Sequence, residues 1–86
     1  MARKAGLQMP TVLRHGPYAF VFFSSDQHEP PHIHVKRDKA IAKFWLDPVT
    51  LANNRGFKKP ALKKIAMLVK QYQQLLIEAW HDYFGA

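Results

Sequence analysis

Cysteine is absent from the chain. That excludes disulfides, cysteine-ligated zinc and thiol chemistry, and leaves a reducing compartment as the default. Acidic residues are scarce, with 6 Asp plus Glu against 13 Lys plus Arg. No two of them have the arrangement of a glycosidase pair or a two-metal nuclease. The 4 glycines build no phosphate-cradling loop. No stretch approaches the ~20 apolar residues of a membrane span. The N-terminus, MARKAGLQMP, is basic but lacks the apolar core of a signal peptide. A cytoplasmic location with no membrane contact is the expectation, and nothing calls for a cofactor. At 86 residues there is room for one domain and none for a cofactor cleft between two.

What is present is patterned. Hydrophobic residues make up 48% of the chain, too many for a disordered basic tail. Residues 1–8 look like a flexible basic leader, and 9–86 like a single α+β domain. Thr11 to His15 and Tyr18 to Ser25 read as two strands joined at Gly16-Pro17. YAFVFF is apolar at every position, so that strand should be covered on both faces. DQHEPP is a polar, proline-rich loop. His32 to Arg37 alternates, with Ile33 and Val35 on one face and His32, His34 and Lys36 on the other. Ala40 to Leu46 is a further strand, and Val49 to Asn54 is either a fifth strand or a loop.

After Phe57 the period changes. Pro60 suits a first helical turn, and no glycine or proline interrupts Ala61 to Phe84. At about 100° per residue the apolar phase holds across QYQQ, which predicts one long helix ending at Gly85. The expected fold is a four- to five-stranded, mainly antiparallel sheet followed by one long C-terminal helix packed on it. The apolar side of that helix covers roughly half its circumference, wider than the ~100° stripe of a surface helix. Leu68, Leu75 and Ile77 are therefore candidates for contact with a second chain, either another copy or a different partner.

PPHIHV is the sharpest local motif. Two histidines at i and i+2 on a strand put their Cβ atoms roughly 6–7 Å apart on one face. His32 and His34 could serve as an acid/base pair, as phosphate ligands or as metal ligands. A metal would draw on His28 as a third ligand, with Asp26 or Glu29 supplying a carboxylate. Structural histidines on a solvent face are the plain alternative. The cations fall into two groups, one around the H-x-H strand (Lys36, Arg37, Lys43) and one on the helix (Lys59, Lys63 and neighbours). With Arg55, these are the candidate phosphate contacts for nucleic acid.

Several ordered pieces carry a family resemblance: Gly16-Pro17-Tyr18, Pro31-His32-Ile33-His34-Val35, Trp45-Leu46-Asp47-Pro48, Asn54-Arg55-Gly56-Phe57 and Ala79-Trp80. Between Met9 and Gly85 the chain resembles a family of small bacterial proteins catalogued as a domain of unknown function, family number 4160. The resemblance implies a small cytosolic protein with no established catalytic residues to carry over. It also implies a gene neighbour in a toxin–antitoxin-like arrangement, and hence a small partner protein and an RNA or ribosome target for one component. Three functions follow as expectations: a component of such a pair, with the toxin among the options, acting on or binding RNA; a non-catalytic protein- or nucleic-acid-binding module; or a metal-dependent hydrolase built on His28, His32 and His34.

Overall fold

The computed structural model describes residues 10–85. The expected leader at 1–8 lies outside these residues. Five strands run in chain order: β1 (Thr11–His15), β2 (Tyr18–Val21), β3 (His32–Arg37), β4 (Ala40–Leu46) and β5 (Val49–Arg55). They form one sheet in the order β1-β2-β3-β4-β5, each pair antiparallel. Short turns allow this. Gly16 and Asp38 adopt left-handed backbone at the β1–β2 and β3–β4 turns, with φ of 58° and 53°, as tight hairpins require. Val49 to Asn54, left open by the sequence, is part of β5 and pairs with β4, with an irregularity opposite Lys43 and Phe44.

Register assigns the faces, because directly paired residues share one. Phe20 pairs with Val35, Val35 with Ala42, Ile33 with Phe44 and Leu46 with Val49. These side chains make one apolar face. Phe20, Ile33, Val35 and Leu46 are completely buried there. At roughly 1.5–3 kcal/mol for each large apolar side chain removed from water, this face carries most of the drive to fold. The other face holds Ala19 opposite Lys36, Val21 opposite His34, His34 opposite Lys43 and Lys43 opposite Asn53.

The C-terminal segment is two helices rather than the expected single one: α1 (Lys59–Gln71) and α2 (Gln73–Phe84). They meet at Tyr72, whose φ and ψ of −100° and 11° leave the helical region. Neither glycine nor proline causes the break; tertiary contacts hold it. The Tyr72 hydroxyl lies 3.0 Å from His15 Nδ1, and its ring packs edge-on against Phe20. The next residue, Gln73, donates from Nε2 to the Leu46 carbonyl. The bend lets α1 pack against β4 and β5 while α2 packs against β3 and β4.

Bending also accounts for much of the excess apolar width. Leu68 is buried within this chain's own core, and Ile77 packs partly buried against it. Leu68 is therefore not available to a second chain in this fold. Of the three residues expected at a partner contact, Leu75 stays exposed, as does the neighbouring Met67. Gly85 ends α2 in the left-handed conformation, its N–H donating to the His81 carbonyl. No helix among the described residues is long and apolar enough to cross a membrane.

Candidate functional site: a buried histidine–aspartate cluster beside a basic sheet face

β2 ends at Val21, opposite His34. Two pairs further along, His32 has no β2 residue beside it. The chain leaving β2 folds into a 3-10 turn over Ser24–His28 and fills this notch. The Asp26 carboxylate anchors the turn by accepting a hydrogen bond from the Phe23 N–H at 2.9 Å. Asp26 itself is largely buried.

The same carboxylate oxygen faces both histidines. Asp26 Oδ2 lies 3.2 Å from His32 Nε2 and 3.6 Å from His34 Nδ1. These three atoms all lie within 4.8 Å of one another. The His32 side chain is fully buried and that of His34 is 13% exposed. On its other edge, His32 Nδ1 donates to the Pro30 carbonyl at 2.9 Å. Neither His32 Nε2 nor His34 Nδ1 has a hydrogen-bond partner among the described residues. The 3.2 Å approach of Asp26 to His32 Nε2 is thus a close contact without a hydrogen bond.

Aromatic rings enclose the cluster. His32 packs against Trp45 and Trp80, and Phe23 lies edge-on to His34 with centroids 4.4 Å apart. Burial pushes the His34 imidazole down to about 4, against the opposing pull of Asp26; His32 and Lys43 add to the depression. His34 is accordingly neutral near pH 7. Glu29, at the mouth of the cluster, accepts a 2.6 Å hydrogen bond from Lys43, and that bond holds its carboxyl below the usual range. The Lys43 ammonium also lies over the Trp45 ring.

His34 borders a pocket of about 240 Å³ shared with Phe23, Lys43, Asn53 and Arg55. A second concavity of about 270 Å³ lies on the β1–β2–β3 side, lined in part by Arg14, Lys36 and Arg37. Of the expected phosphate contacts, Lys36, Lys43 and Arg55 are therefore on one sheet face. Arg37 sits at its rim, 3.9 Å from Asp38 and with its guanidinium over the Tyr18 ring. Lys59 and Lys63 are exposed on α1, apart from that face. His28 is also exposed and stands outside the cluster, whose third member is Asp26.

The sequence-based set omits Arg14. Its signal is the alternation of TVLRH, in which Arg14 points away from Leu13, and its pairing with Ala19 places it on the basic face.

A family model described as a domain of unknown function (DUF4160) matches residues 18–81, well over half of the chain. The chain belongs to the DUF4160 family. No curated protein and no solved structure matches it. The DUF4160 match opens with β2 at Tyr18 and runs to His81, just beyond Trp80. It therefore contains every member of the His–Asp cluster and its aromatic walls. β1, with Arg14, lies before it.

Proposed function

We propose that this DUF4160 protein binds RNA through the sheet face that carries no helix. One observation carries the reading: Arg14, Lys36, Lys43 and Arg55 reach the same face, around His34 and along two adjoining concavities. Glu29 is paired with Lys43, which leaves Arg14, Lys36 and Arg55 as the cations of this face without that neutralising partner. Such spacing of cations suits a phosphate backbone, and the affinity it gives is strongly salt-dependent. His34, neutral and partly accessible, is the histidine a bound phosphate or ribose can reach. His32 is sealed and acts through its neighbours.

The test is fluorescence anisotropy with a labelled single-stranded RNA at several salt concentrations. Contact with three or four phosphates gives a log–log salt slope of roughly −2 to −3. Neutralising Arg14, Lys36 and Arg55 together to Gln should weaken binding at least tenfold. The Lys59→Gln/Lys63→Gln variant should bind like the parent. Absence of binding, or an equal loss in the helix variant, would sink the proposal. In a toxin–antitoxin-like pair this face would be the working surface of the toxin. Induced expression should then arrest growth, with relief by the neighbouring gene; unchecked growth in both cases removes the toxin reading.

A further inference from the structure

We propose that Asp26, His32 and His34 form a binding site for one divalent transition-metal ion of the zinc class. The argument is independent of RNA binding and begins with the His32 tautomer. A carbonyl oxygen can only accept, so the Pro30 contact places a proton on His32 Nδ1. In the neutral ring, Nε2 then carries a lone pair. That lone pair stands 3.2 Å from a carboxylate oxygen, which is also an acceptor, with no hydrogen bond between them. His34 Nδ1 adds a third donor atom, 3.6 Å from the same oxygen and likewise unpartnered.

Buried polar atoms normally find partners. Here three electron-rich atoms converge on one another, and a cation among them satisfies all three at once. The spacing agrees. Four-coordinate zinc with ligand bonds of about 2.0–2.1 Å places neighbouring ligand atoms roughly 3.3–3.4 Å apart. The two distances to Asp26 bracket that value. Two imidazoles and one carboxylate favour zinc-class or ferrous ions over magnesium or calcium, which prefer all-oxygen shells.

The surroundings are also those of a metal site. A metal-bound histidine characteristically donates its other ring N–H to a carbonyl or carboxylate, and ligating carboxylates are themselves held by hydrogen bonds. Pro30 does the first for His32, and the Phe23 N–H does the second for Asp26. Trp45, Trp80 and Phe23 supply the apolar shell. The pocket bordered by His34 supplies an entry path.

Untagged protein stripped with chelator and titrated with Co²⁺ alone tests this. The expected result is one Co²⁺ per chain, with the visible ligand-field absorption of a low-coordinate nitrogen/oxygen site, displaced stoichiometrically by Zn²⁺. His34→Gln, at the most accessible ligand, should weaken Co²⁺ binding at least 100-fold. His28→Gln removes an exposed histidine outside the cluster and should change binding less than twofold. The wild-type titration needs no variant to fold: lack of stoichiometric Co²⁺ or Zn²⁺ binding overturns the site. Unchanged affinity in a folded His34→Gln protein, or loss of binding in His28→Gln, overturns the ligand assignment.

Discussion

On one side of the sheet, Phe20, Ile33, Val35 and Leu46 are sealed under two helices. On the other, Lys36, Lys43 and Arg55 stand on a face that neither of the two described helices covers. The same strands supply both, since alternate residues of HIHVKR and AIAKFWL point opposite ways. Stability is concentrated on the first face and charge on the second. The two should therefore respond to substitution almost independently, except at the notch beside His32, where Trp80 from α2 meets the basic side.

The largest effect is expected on the covered face. Phe44→Ala empties a buried aromatic site and should cost about 3–5 kcal/mol, measured by urea unfolding. A small loss would mean the helices collapse readily onto the gap. Gly56→Ala comes next. Gly56 has φ of 98°, and an added Cβ would stand 3.1 Å from Ala40 Cβ. Strain of this kind is worth about 1–3 kcal/mol and should appear as a lowered Tm.

The paired Lys36→Gln/Arg55→Gln variant probes the other face. Arg55 is exposed and Lys36 half-buried; surface substitutions of this kind usually stay within about 0.5 kcal/mol, so Tm should hold while the RNA salt slope flattens. A large stability loss would break the separation of faces.

A separate effect concerns pH and joins the two faces; at about 1.4 kcal/mol per pKa unit it exceeds that of the surface variant. In metal-free protein, His34 takes up a proton near 6.5 when unfolded but only near 4 when folded. Between those values the unfolded chain binds more protons, so stability falls as pH is lowered through that window. Asp26, His32, Glu29 and Lys43 are the charged or titratable groups acting on His34. The urea midpoint should be lower at pH 5 than at pH 7.5, and His34→Gln should flatten the difference. An equal slope in that variant would assign the pH effect elsewhere.

Much of the sheet was legible in the sequence. Strict alternation marked β3, Gly16-Pro17 marked the first turn, and the apolar run from Tyr18 marked β2, although the strand stops at Val21 rather than Ser25 and Ala19 lies on the basic face instead of under a cover. The helix break at Tyr72 was not legible, because no helix-breaking residue announces it and its causes are His15, Phe20 and Leu46, distant along the chain. Leu68 lies on the flank of a straight helical wheel, yet the folded chain buries it in the core. At the site, the H-x-H spacing correctly placed His32 and His34 side by side. It could not show that β2 stops two pairs short of His32, so the burial of that ring went unseen. His28 and Asp26 were both within reach in the loop; the Phe23 N–H selects Asp26 by pulling its carboxylate inward. Arg14 was missed because β1 is too short for its alternation to stand out.

The strand order has a consequence for how the molecule assembles. Each strand pairs only with its neighbour in sequence, so the sheet can zip up hairpin by hairpin, with small loops to close at each step. Asp26, His32 and His34 fall within that early, local stretch of chain. Trp80, which closes one wall around His32, comes from α2, nearly fifty residues further along. A nascent chain would thus carry the three polar side chains before it carries their lid, and the histidine pocket would be among the last features to be sealed.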